Sequence, residues 1–285
     1  MPDALTASRP TGTRARGLLA LVVCVAALGA AVAPSGVATA HPPPARPRMT
    51  GTLPPGSALP SSARCASRVR HDRWEPRPAN YPENHTKGAR LVIPAADWRG
   101  FPAWRALARR VAGLFTGTTD QIMAWASCKW GFAGDLTRAE ALVESHWHQW
   151  WVGDGGASVG LMQVKSDGAD TPHHYTWPHS RDSTSYNVDY ALAWRRACYE
   201  GYFAQGGWLP SSSRGDLWGC VGLWYSGVWH RGDAAYVAAV RRALRNRRWL
   251  KWEADQRRSR GHCAAATFSE LPTPSAALAW LARAE

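Results

Sequence analysis

The hydrophobic pattern divides the chain sharply near residue 40. Arg9, Arg14 and Arg16 precede an apolar and small-residue run from Gly17 to Ala33, and Ala38-Thr39-Ala40 follows. A basic start, a short apolar stretch and a small-residue cleavage site are the layout of a secretory signal peptide, so residues 1–40 are expected to be removed and the mature chain to begin at His41. The run is at the short limit for a membrane span and no basic stop-transfer cluster follows it, so no stable membrane anchor is expected after cleavage. Residues 41–64 carry seven Pro and no periodic apolar positions. Burial could not offset the entropy of ordering such a segment, which predicts a linker. The chain stays polar and Pro-broken beyond it, with Trp74 and Tyr81 as docking points, so residues 41–100 read as a Pro-rich flexible N-terminal extension.

Helical spacing begins near Phe101. Trp104, Leu107, Val111 and Leu114 recur at steps of three and four and predict an amphipathic helix. Thr118 with Gln121 three residues on is a capping box opening a second helix, which Gly131 ends. Asp135 is placed to cap a third, whose stripe is Leu136, Ala139, Val143 and Trp147, before a glycine-rich stretch from Gly153 to Gly160. Two more helical patterns run through Tyr190, Trp194, Ala197 and Cys198, and through Val237, Val240 and Leu244. No run alternates over strand length, which predicts a mainly α domain over residues 101–252, followed by a basic tail over 253–285.

Charge and cysteine content narrow the setting. The formal charge is +13, and loss of the three Arg and one Asp of residues 1–40 leaves +11. Such a balance suits an anionic partner. Between Arg241 and Arg260 there are nine basic and two acidic residues, a segment suited to retention on an anionic cell wall. Five cysteines remain in the mature chain (Cys65, Cys128, Cys198, Cys220 and Cys263), and export favours disulfides, although spacing does not choose a pairing. No C-x-x-C pair and no H-E-x-x-H motif occurs, so neither a metal nor another cofactor is expected; His146 and His148 read as part of a groove wall. No G-x-S-x-G elbow, phosphate-binding loop or recognised nucleic-acid motif is present, so a nucleic-acid partner is not expected.

Chemistry concentrates after Leu136. At about 100° per residue, Glu140 falls roughly 40° and Glu144 roughly 80° from Leu136 around the third helix, so both carboxylates border its apolar stripe. Desolvation there raises a carboxyl group's pKa and suits it to proton donation near neutral pH. Periodicity alone favours Glu140, the closer of the two. Trp147, Trp150 and Trp151 stand nearby, with faces suited to stacking on sugar rings.

Four blocks in order carry a family resemblance that reverses the preference: Glu144-Ser145-His146, Gly153-Asp154-Gly155-Gly156 with Gly160-Leu161-Met162-Gln163-Val164, Asn187 near the start of a helix, and Trp224-Tyr225-Ser226-Gly227. The set resembles the soluble lytic transglycosylases and the goose-type lysozymes. The resemblance implies a lysozyme-like fold and cleavage of the β-1,4 bond between N-acetylmuramic acid and N-acetylglucosamine in peptidoglycan glycan strands, without a cofactor. Carried over by position, it makes Glu144 the general acid and then base, and puts Ser145, Met162, Gln163, Asn187 and Tyr225 among the substrate-binding residues. Asp154 matches the first of two water-positioning carboxylates of the goose-type lysozymes, but the place of the second holds Lys165, and Ser226 stands where the family has Asn. A lytic transglycosylase forming 1,6-anhydro ends is therefore expected, with a goose-type hydrolase or a catalytically inactive wall-binding protein as alternatives.

Overall fold

The computed structural model describes residues 51–71, 73–93, 102–166 and 173–263, with backbone alone for 256–263. The signal-peptide segment 1–40 and the tail beyond Cys263 lie outside the described residues. Among those described, the chain is mostly helical, with one small sheet. No helix is long and apolar enough to cross a membrane.

The capping box at Thr118 opens α4 (Thr119–Trp130): the Thr118 side chain accepts from the Gln121 backbone and the Gln121 side chain accepts from the Thr118 backbone. Gly131 closes it in the left-handed region at φ 70°, where glycine is favoured. α5 (Gly134–Ser145) follows directly. Its N-cap is Ala133 rather than Asp135, which lies in the first turn and pairs instead with Arg138 and Arg247 at 3.5 and 3.3 Å. The earlier helix, α3 (Pro102–Ala108), is shorter than its periodicity predicts; the chain turns after Ala108, Val111 is still buried, and Leu114 is exposed.

At the centre runs α7 (Thr184–Tyr199), buried along nearly its whole length. It packs against α4, α3, α6 (His179–Asp182), α8 (Tyr202–Gln205) and α9 (Leu217–Ser226), while α10 (Ala234–Asn246) lies along α5. Disulfides Cys198–Cys220 and Cys65–Cys128 tie α7 to α9 and α1 (Ser62–Ala66) to α4. α11 (Arg248–Cys263) crosses the expected boundary at residue 252, because Trp249 is fully buried and stacks on Trp147.

Residues 51–64, expected as a flexible linker, are instead tied to the helical core. The Leu53 backbone N–H donates to the Gly131 carbonyl at 2.8 Å, and the buried Arg196 guanidinium donates to the carbonyls of Leu53 and Pro54 at 2.8 and 2.9 Å. Arg110 donates to the Pro60 carbonyl, and Cys65 is fully buried in its disulfide. Proline costs this segment little, since carbonyls rather than N–H groups make most of these bonds. Trp74 docks as expected, edge-on to Trp147 at 6.1 Å, whereas Tyr81 is exposed. Asn84, in a glycosylation-type sequon with α2 (Tyr81–His85), is buried and donates its amide to Glu75 and Thr119.

Candidate active site

Glu144 sits in the last turn of α5, and two backbone devices aim the chain after it. His146 and Trp147 adopt left-handed conformations at φ 52° and 67°, unusual for such residues, and turn the chain sharply into the hairpin. The hairpin is a three-stranded antiparallel sheet, β1 (Val152–Gly153), β2 (Ser158–Val159) and β3 (Val164–Lys165), in which Gly153 faces Ser158 and Ser158 faces Lys165.

The turn between β2 and β3, Gly160 to Gln163, is held from below. Asn187 accepts from the Met162 N–H at 2.8 Å and donates to the carbonyls of Val159 and Ser180 at 2.9 and 2.8 Å. Gln149 accepts from the Leu161 N–H, Ser145 donates to the Leu161 carbonyl at 2.9 Å, and Trp224 donates to the Met162 carbonyl at 3.0 Å. A side chain at Gly160 would place its Cβ 2.2 Å from the Asn187 amide, so this close approach requires glycine.

These contacts revise three expected roles. Ser145, Met162 and Asn187 are buried to 1%, 0% and 0% exposure and do not line the cleft. Each instead pins the hairpin to the helices. Gln163 keeps an edge to the cleft, but its amide donates to the carbonyls of Trp151 and Gly160 at 3.1 and 2.9 Å and braces the hairpin. Of the three tryptophans near Glu144, Trp147 is core, packed on Trp74, Trp249 and Trp252, while Trp150 and Trp151 are exposed on the hairpin side.

A cleft of about 1200 Å³ brings together Glu144, Asp154, Gln163, Lys165, Tyr225 and Tyr236. Glu144 accepts a 2.5 Å hydrogen bond from the Tyr236 hydroxyl, in the first turn of α10. Tyr225, at the end of α9, stacks flat on Tyr236, with ring centres 4.6 Å apart and planes 6° from parallel. The motif resemblance brings in Tyr225 but misses Tyr236, whose position 92 residues after Glu144 becomes informative only once α10 is seen to pack along α5.

The two cleft carboxylates differ in setting. Burial pushes Glu144 up to about 8; the Tyr236 hydroxyl opposes the rise, Glu140 and Asp154 add to it, and Arg195 opposes it. Tyr236 is itself pushed well above its ordinary range, first by burial and then by the neighbouring Glu144. Asp154, at φ 49° in a turn running to Gly156, is more than half exposed; it accepts from Ser158 at 2.7 Å and lies 3.6 Å from the Lys165 ammonium. Glu140 does not reach the cleft. It is fully buried one turn below Glu144 and ion-paired with Arg195 of α7.

His173, farther along the cleft wall, is pushed down to about 3 by burial and stays neutral, bonded to the Tyr190 hydroxyl at 2.8 Å and stacked on Trp224. Among the described residues no group of three His, Cys, Asp or Glu side chains is placed to hold a metal ion. The arrangement can deliver one proton from a shielded carboxyl group to a ligand in the cleft and take it back. No family model, curated protein or solved structure matches the chain at a significant level.

Proposed function

We propose that this chain is an exported enzyme of lysozyme-like fold that cleaves peptidoglycan glycan strands as a lytic transglycosylase, with Glu144 as its single acid and base. The observation that carries the reading is the pairing of a shielded Glu144, protonated near neutral pH and held by Tyr236, with an Asp154 that is exposed and charge-compensated by Lys165. The motif resemblance of the Glu144, Gly160 to Val164 and Tyr225 blocks supplies the substrate class, and their convergence on one cleft supports it. Two disulfides suit an oxidising compartment, and the basic residues from Arg241 onward suit retention on an anionic wall.

In this mechanism the protonated Glu144 gives its proton to the glycosidic oxygen as the bond from that oxygen to the muramyl C1 breaks. Tyr236 stays bonded to the carboxylate that forms, and a hydrogen bond to a charged acceptor is stronger than one to a neutral acceptor. Glu144 then takes the proton of the C6 hydroxyl while its oxygen bonds to C1, closing a 1,6-anhydro ring and restoring the acid. Water attack would need a base held on the other side of the sugar ring. Asp154 is the cleft carboxylate available for that role, which makes a goose-type hydrolase the second reading; in this structure its oxygens are engaged by Ser158 and Lys165.

The test is mass spectrometry of muropeptides released from purified peptidoglycan by the mature protein. Anhydro-muramyl ends from the native protein and no release by a folded Glu144→Gln variant support the reading. Equal release by that variant overturns it.

A further inference from the structure

Glu140 is a buried titratable group that the proposed chemistry does not use. It is four residues before Glu144 on α5, so the two carboxyl groups lie on neighbouring turns of one helix face. Both it and its partner Arg195 have fully buried side chains. The pair is incompletely satisfied: among the described residues, Oε1 of Glu140 and Nε and Nη2 of Arg195 have no hydrogen-bond partner. A buried pair of this kind is costly to form and is weak evidence for stability, since an apolar pair of similar volume is commonly as stable or more so. Its position beneath the acid offers a different account.

Two carboxyl groups that feel each other's charge cannot both ionise easily, and the environment decides which one loses its proton first. Here the environments are unequal. Glu140 touches a guanidinium, whereas Glu144 touches a neutral phenol. Among the described residues, the other charged groups acting on Glu144 are Asp154 from the hairpin, compensated by Lys165, and Arg195 itself from α7; α10 contributes Tyr236. We propose that the buried Glu140–Arg195 pair is a positioning device for the acid: Arg195 makes Glu140 the carboxyl group that ionises first, and the Glu140 carboxylate beneath Glu144 then holds the proton on Glu144. The catalytic meaning of this device rests on the proposed function, but the device itself is a property of the folded protein and can be measured without substrate.

The measurement is a pH titration of the carboxyl carbons of Glu140 and Glu144 by NMR, in the native protein and in Glu140→Gln. In the native protein Glu140 is expected to lose its proton at lower pH than Glu144, and the Glu144 signal to register the Glu140 step. Deprotonation of Glu144 first, or two independent single-step curves, would overturn the proposal before any variant is made. In Glu140→Gln the repelling carboxylate is gone and Arg195 is left facing Glu144, so the Glu144 midpoint is expected to fall by about one pH unit or more. A midpoint within about 0.3 unit of native contradicts the proposal. Because Glu140→Gln leaves a buried cation unpaired, Glu140→Met/Arg195→Met serves as the second variant; it removes both charges, and its midpoint is expected to fall by less than half as much. A fall in the double variant as large as in the single one would assign the effect to repacking and contradict the proposal. The alkaline limb of the peptidoglycan-cleavage pH profile should move with the NMR midpoint. Absence of cleavage in the native protein would count against the proposed function and leave the titration result standing.

Discussion

The two walls of the cleft carry one carboxylate each and treat it in opposite ways. On the helical wall, Glu144 is shielded by α5 and α10, bonded to a phenol, and backed by a second buried carboxyl group. On the hairpin wall, Asp154 projects from a glycine-rich turn, more than half exposed and beside an ammonium group. Desolvation makes an acid of the first, whereas the second stands in solvent beside Lys165. A pair of carboxylates in one cleft is therefore insufficient to identify an acid and a base, because the packing behind each decides what it can do.

The largest effect should come from the helical wall. Glu144→Gln is expected to reduce muropeptide release by about 1000-fold or more, as removal of a general acid does, with an unchanged fold by circular dichroism. The same variant should change the pH dependence of stability. Glu144 binds its proton more tightly folded than unfolded, so its contribution to stability falls as pH rises from the ordinary carboxyl range to about 8. Denaturant titration should find Glu144→Gln gaining on the native protein across that window and level with it below pH 4. A constant difference would show that Glu144 is not desolvated.

Tyr236→Phe comes next. Loss of one hydrogen bond to the forming carboxylate should lower kcat/KM by roughly tenfold. The Tyr236 bond opposes the rise in the Glu144 pKa, so its removal should move the alkaline limb of the activity profile to higher pH, opposite in sign to Glu140→Gln. A shift to lower pH would mean that Tyr236 does not stabilise the carboxylate.

On the hairpin wall the effects should be small. Asp154→Asn and Lys165→Met are each expected to change muropeptide release by about threefold or less, as exposed and weakly coupled charges do. A loss of 100-fold in Asp154→Asn would transfer the decisive chemistry to this wall and support the hydrolase reading.

Local signals were legible in the sequence and distant ones were not. The Thr118 and Gln121 capping box and the Gly131 stop lie within one stretch of chain and form as expected. Periodicity favours Glu140 over Glu144 as the proton donor, yet Glu140 is buried away from the cleft, and the wheel does not reveal that Arg195 would meet it there. Ser145, Met162 and Asn187 belong to motifs suggesting substrate contact, yet their partners are backbone groups of the hairpin, which spacing does not display. The proline-rich segment misleads for the same reason. Its composition argues against self-contained structure, whereas its anchors are Arg196, Arg110 and Cys128, all far along the chain. Tyr236 and α11 likewise acquire their roles only by packing on α5 and Trp147.

The measurement that tests the contrast between the walls most directly is digestion of purified peptidoglycan in water labelled with oxygen-18, with mass analysis of the new muramyl ends. A single shielded acid and an idle Asp154 predict anhydro ends that contain no label, because the oxygen closing the ring comes from the sugar's own C6. Labelled reducing ends that disappear in Asp154→Asn would contradict the account, since they would show water attacking C1 under the direction of the hairpin carboxylate.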